Sequence, residues 1–79
     1  MNGTVKTVES KKKYGFIRAE DGKDYFFHKD DFLGFWQDLV VDYQNGSSII
    51  KVEFVADNTP KGLRASNVNR LDWPNQANG

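Results

Sequence analysis

Residues 12–31 read KKYGFIRAEDGKDYFFHKDD, and this stretch decides the fold. Two short aromatic runs flank a tight polar turn. With the two-residue period of a strand, Tyr14 and Phe16 share one face of the first run, and Ile17 crosses to the other side. In the second run Phe26 and His28 share a face, while Tyr25 and Phe27 take the opposite one. The connecting segment Ala19-Glu20-Asp21-Gly22-Lys23 holds the Asp-Gly pair expected of a hairpin whose backbone must visit positive φ. The pattern predicts a small antiparallel sheet with an aromatic outer face.

Working outward, Thr4 to Val8 reads as a first strand with Val5 in the core, and 13–18 as the second. Gly15 lies between Tyr14 and Phe16. A glycine inside a strand points either to barrel curvature or to a surface that something must approach closely. Beyond Lys29, either Asp30 or Asp31 can cap a single helical or 3₁₀ turn, with Phe32 and Phe35 on one side as a plug for a barrel end. Gln37 to Ser48 reads as an irregular connection in which Leu39-Val40-Val41 is a short apolar run and Asn45-Gly46 a turn signal, with room for a brief strand of no fixed bounds. Ile49 to Val55 is a further strand, with Ile50, Val52 and Phe54 in phase. Ala56 to Gly62 reads as a turn. Leu63 to Leu71 closes the sheet, with Ala65, Val68 and Leu71 inside and a bulge to reconcile their spacing. The fold class is therefore all-β, a five-stranded antiparallel barrel over residues 1–71. A polar tail over 72–79, containing Trp73-Pro74, is expected to dock weakly or fray.

Seventy-nine residues make one small domain, with little room for a catalytic cleft. There is no cysteine, and a lone His28 makes poor metal-ligand material, so no metal or cofactor is expected. No phosphate loop, His-Glu-x-x-His site or cysteine nucleophile is present, and the chain reads as a non-enzyme. Without a long apolar run or hydrophobic leader it is expected to stay off membranes and in the cytoplasm. Eleven basic residues balance eleven acidic ones, so attraction to a polyanion must come from local placement. Lys6, Lys11, Lys12, Lys13 and Arg18 crowd the first part of the chain.

The ordered motifs resemble those of the cold-shock domain, a member of the oligonucleotide-binding barrel group. Gly3-Thr4-Val5-Lys6 is similar to the family's opening Gly-x-Val-Lys. Lys12-Lys13-Tyr14-Gly15-Phe16-Ile17 is similar to Lys-Gly-Phe-Gly-Phe-Ile, and Tyr25-Phe26-Phe27-His28-Lys29 to Val-Phe-Val-His-Phe. Lys61-Gly62-Leu63-Arg64-Ala65-Ser66-Asn67-Val68 resembles the closing Lys-Gly-x-x-Ala-x-Asn-Val. The resemblance spans roughly residues 3–71. It implies binding of single-stranded RNA or DNA, as in RNA chaperones, antitermination factors or translational regulators. Tyr14, Phe16, Phe26 and His28 are then the base-stacking residues, with Lys6 and Lys12 near the strand's backbone.

By position and charge, Lys13 joins Lys6 and Lys12 as phosphate-facing. Lys29 and Arg18 are further candidates, and Lys61 and Arg64 can extend the electrostatic path. Three departures stand out. Thr7-Val8-Glu9 replaces the family's Trp-Phe-Asn, which is expected to remove two aromatic platforms. Lys13 replaces a glycine, and Lys29 replaces an aromatic. The longer connection from Lys29 to Lys51 carries Phe32, Phe35, Trp36 and Tyr43, of which Trp36 is the leading candidate for a substitute platform. The alternative reading is a protein-interaction barrel that has lost strand binding and makes contact through Phe35 and Trp36. A monomer is expected, with a dimer through exposed aromatics as the alternative.

Overall fold

The two-residue alternation of inward and outward side chains carries through to a barrel wall. In the computed structural model, which describes residues 1–46 and 49–71, the strands run Asn2–Glu9 (β1), Tyr14–Ala19 (β2), Asp24–His28 (β3), Lys51–Thr59 (β4) and Gly62–Arg70 (β5). They close in the order β1-β2-β3-β5-β4. Where the sequence pattern predicts an antiparallel barrel, four seams are antiparallel and one, pairing Phe26 of β3 with Arg64 of β5, runs parallel. The polar tail from Asp72 onward lies outside the described residues.

The inward set is apolar: Ile17, Phe27, Leu39, Val52 and Val68 are fully buried, and Val8, Tyr25, Ile50, Phe54 and Ala65 pack with them. Gly15 belongs to this interior, opposite Val8. A Cβ there would come within 2.6 Å of the Thr7 carbonyl oxygen and 2.8 Å of the Phe27 ring. Close packing of β1 and Phe27 therefore accounts for the glycine, and nothing from solvent approaches it. The Asp-Gly turn is as expected: Gly22 has φ 83°, and Asp21 accepts the Lys23 N–H at 2.9 Å and the Tyr25 hydroxyl at 2.7 Å.

The chain between β3 and β4 departs from the strand-like reading. Lys29–Asp31 forms a 3₁₀ turn, and Trp36–Gln44 is an α-helix (α1) in place of an irregular connection with a brief strand. Trp36, Leu39 and Val40 stand at helical spacing and are its buried residues. Leu39-Val40-Val41 resembles a strand only when Trp36 is left out of the period. Asp42 of α1 pairs with Arg70 of β5 at 2.8 Å, which ties the helix to the barrel. The cap of the 3₁₀ turn is also not an aspartate. His28 Nδ1 accepts the Asp30 N–H at 3.1 Å, and Asp31 returns the bond by accepting the His28 N–H at 3.0 Å. Phe32 is buried while Phe35 is exposed, so the two do not share a side.

Strands β4 and β5 continue past the expected turn. Residues Ala56 to Thr59 pair with Ala65 to Gly62, and only Pro60-Lys61 links them. The polar composition that reads as a loop is that of a two-stranded ribbon with solvent on most sides. Ala65 and Val68 point inward with a register shift between them, made possible by Asn67 at φ 50°. Leu71, expected inside, is exposed because the strand has ended.

Lys13 and Asn67 are the two non-glycine residues at positive φ among the described residues, and a lysine tolerates that region less well than an asparagine. Lys13 stands at φ 63°, in the left-handed region, where its N–H closes the β1–β2 turn on the Glu9 carbonyl at 2.8 Å. A side chain in that region costs about 1 kcal/mol that glycine does not incur. Lys13→Gly is expected to raise stability to urea by about 1 kcal/mol. No gain, or a loss, would show that the turn relaxes away from this conformation.

Candidate nucleic-acid interface

The outer face of β2 and β3 is built by the residues that alternate with the core. Tyr14 lies opposite His28, Phe16 opposite Phe26, and Arg18 opposite Asp24. The three aromatic rings contact one another. Centroids are 5.4 Å apart for Tyr14 and Phe26, 5.8 Å for Phe16 and Phe26, and 6.0 Å for Tyr14 and Phe16. The two contacts of Phe16 are edge-to-face, and all three rings are half-buried. Each ring is thus braced by its neighbours and still open on part of its surface, so a planar ligand meets a surface that needs little ordering.

His28 extends this cluster. Its Nδ1 lone pair is engaged by the Asp30 N–H, which in the neutral ring places the proton on Nε2 as a donor. The Asp30 carboxylate lies 3.6 Å from Nδ1.

The lysines divide into three groups. Lys12 and Lys13 occupy the β1–β2 turn, and the Lys29 N–H donates to the Lys13 carbonyl at 2.8 Å, so these exposed lysines gather at the Tyr14 and His28 end. Lys6 sits at the bulge in β1 and pairs with Asp24 at 2.9 Å. Arg18 holds the other oxygen of the same carboxylate. Lys6 is therefore less available to a phosphate than its sequence position suggests. Lys61 lies at the tip of the β4–β5 ribbon. With Phe16, Asp24, Phe26, Leu63 and Arg64 it lines an open groove of about 550 Å³.

The two partners of Asp24, the Arg18 hydrogen bond first and Lys6 second, lower its carboxyl from 3.8 to about 2. The folded value is the lower one, so the pairs contribute to stability above the ordinary carboxyl range and are lost as the pH falls from 3.8 through about 2. An NMR titration of the Asp24 carboxyl carbon is expected to give a midpoint near the lower figure. A midpoint near the ordinary aspartate value would show that the pairs do not persist in solution.

Trp36 is not part of this face. It is 9% exposed and packs edge-on against Phe27 at 6.0 Å and Phe32 at 6.4 Å. Helix formation turns it into the barrel, which corrects its expected role as a substitute platform or a protein contact. Phe35, at 80% exposed, remains on the surface together with Leu33. The departure at Thr7-Val8-Glu9 is also smaller than the sequence comparison suggests. Thr7 and Glu9 stand on the outer face opposite Phe16 and Tyr14, but Val8 points inward opposite Gly15. One outer position, and not two, lacks an aromatic ring.

Asp24 enters the site without having been placed there by sequence, and Arg64, expected only to extend the electrostatic path, stands directly beside Phe26. Asp24 follows in phase from Phe26 and His28 and was legible from period two. The position of Arg64 depends on the parallel seam, which has no local signature. Among the described residues there is no cluster of three or more metal-ligating side chains, and no helix is long and apolar enough to cross a membrane.

Residues 1–71 match the family model described as the 'Cold-shock' DNA-binding domain. The chain is 41% identical over 70 residues to the Retron Se72 cold shock-like protein of Salmonella heidelberg, covering 89% of this chain and 97% of that protein. It is 39% identical over 67 residues to cold shock protein 1 of Lactiplantibacillus plantarum, covering 85% and 92% respectively. With the major cold shock protein of Micrococcus luteus it shares 39% identity over 74 residues, covering 87% and 96%.

Proposed function

This chain belongs to the cold-shock domain family of non-catalytic nucleic-acid-binding proteins, and from that premise we propose that it holds single-stranded RNA or DNA unpaired on the outer face of β2 and β3. The observation that carries the reading is the braced cluster of Tyr14, Phe16 and Phe26, with rings 5.4 to 6.0 Å apart and partly open to solvent. Bases of any sequence stack on such rings, and a duplex hides the faces that stacking needs. His28 adds a fourth contact at one end. The phosphates run past Lys12, Lys13 and Lys29, which form no ion pair among the described residues, and Lys61 serves the groove end. The mechanism is passive: strands are captured when open, as a nucleic-acid chaperone or a regulator of gene expression would require.

Titration of labelled single-stranded RNA, single-stranded DNA and duplex DNA, read by fluorescence anisotropy at several salt concentrations, tests this. Saturable binding is expected for single strands only. Each neutralised phosphate contributes a log-log salt slope of about −0.7, so contacts at Lys12, Lys13, Lys29 and Lys61 predict about −3. Absence of binding to both strands in a verified folded sample would move the function to a protein partner, for which Phe35 and Leu33 remain exposed.

A further inference from the structure

The row that crosses the outer face does not end at the aromatic cluster. Thr7, Phe16 and Phe26 lie opposite one another on β1, β2 and β3, and Arg64 stands next to Phe26 across the parallel seam. Its Nη2 donates to Asp31 Oδ2 at 2.9 Å, and that same oxygen accepts the His28 N–H at 3.0 Å. The Asp31 side chain is only 14% exposed, whereas that of Arg64 is 46% exposed. A carboxylate fixed by the 3₁₀ turn thus steadies the guanidinium from one side. Most of its five N–H donors, arranged as a planar fork, stay available.

Asp24 lines the same groove from β3, two residues from Phe26 on the same face. Its oxygens already take Arg18 and Lys6, and each oxygen keeps acceptor capacity beyond that one bond. A base stacked against Phe26 therefore meets a guanidinium contributed by β5 and a carboxylate contributed by β3.

Guanine matches both. Its O6 and N7 are adjacent acceptors suited to a bidentate arginine, and its N1–H and exocyclic amine are adjacent donors on a different edge, suited to a carboxylate. Adenine would set its N6 amine against the guanidinium. Cytosine and thymine carry their polar groups on one edge and cannot engage both charged partners bidentately.

We infer that the groove between Phe26 and the β4–β5 ribbon is a guanine-selective subsite on the single-strand path, read by Arg64 at the acceptor edge and by Asp24 at the donor edge. The inference rests on the strand-binding reading above. It gives a general single-strand binder one position of base preference.

The test uses the full chain and labelled seven-nucleotide thymidine strands whose central base is thymine, guanine, adenine, cytosine, 7-deazaguanine or hypoxanthine. One guanine is expected to tighten binding about tenfold over the all-thymine strand, the discrimination of a single good bidentate pair. Removing the N7 acceptor (7-deazaguanine) or the exocyclic amine (hypoxanthine) is expected to return most of that gain. Arg64→Lys keeps the charge but not the fork, so the guanine gain, taken as the ratio of guanine to all-thymine affinity measured on that same variant, should disappear. Equal binding of guanine and thymine strands, or a guanine gain that survives both 7-deazaguanine and Arg64→Lys, overturns the inference and leaves strand binding intact. No binding to any of the strands overturns the strand-binding reading, and the subsite falls with it.

Discussion

Combined replacement of Phe16 and Phe26 by alanine is expected to weaken single-strand binding by about 2–6 kcal/mol, roughly 30-fold to more than 10⁴-fold, because each stacked base is worth about 1–3 kcal/mol. The larger figure assumes that the two losses add. They are coupled here, because the rings pack edge-to-face at 5.8 Å and both touch Tyr14. Removing both also unbraces Tyr14, so the double variant should lose at least as much as the worse single one. The fold should survive. Both side chains lie on the outer face, and the core residues next to them in sequence, Ile17 on β2 and Phe27 on β3, are unchanged. Loss of the cross-strand pair costs stability on the order of 1 kcal/mol. Strand titration of the double variant, with its folding checked by thermal denaturation, is the measurement. Unchanged affinity in a folded sample would place the strand elsewhere on the barrel.

The second large effect concerns stability. Trp36→Ala is expected to cost about 3–5 kcal/mol, the range for emptying a buried aromatic site. A small domain is stable by only about 5–15 kcal/mol, so this variant should melt far below the wild type. The loss arises where Trp36 meets Phe27 and Phe32, the contact by which α1 seals the barrel. Trp36→Leu separates this role from a stacking one. It keeps much of the apolar volume and removes the aromatic face, so stability should fall by about 1–3 kcal/mol while strand affinity per folded molecule stays within about twofold. A stacking role would give the opposite pattern, with about 1–3 kcal/mol lost from binding. Urea denaturation and strand titration of this one variant distinguish the two.

The family's ring pattern and this chain's departures combine into a narrower surface than the resemblance implies. Thr7 leaves the row beside Phe16 without a ring, and Glu9 stands opposite Tyr14 on the outer face. In the proposed binding mode, affinity then rests on the central cluster, His28 and the basic turn. This concentration is why the double alanine variant carries so large an expected effect. It also makes the groove beyond Phe26, with Lys61 and Arg64, the natural continuation of the path.

Residues 12–31 determined by themselves the β2–β3 hairpin, its turn at Gly22, the inward and outward sets on both strands, and hence that Tyr14, Phe16, Phe26 and His28 share the outer face. These features are local. A two-residue period and a glycine at positive φ act between neighbours in sequence, and a chain can be read for them without knowing what covers it. The inward phase of Ile50, Val52 and Phe54 was legible for the same reason. Only the tertiary structure decided which way Trp36 faces, because a short apolar run satisfies helix and strand alike until the open end of a barrel selects the helix. It alone neutralised Lys6 with Asp24, turned Val8 inward and carried the β4–β5 ribbon past the expected turn. It also brought Arg64 beside Phe26. That contact crosses a parallel seam between strands far apart in the chain, and charge and spacing along the sequence hold no record of such a pairing.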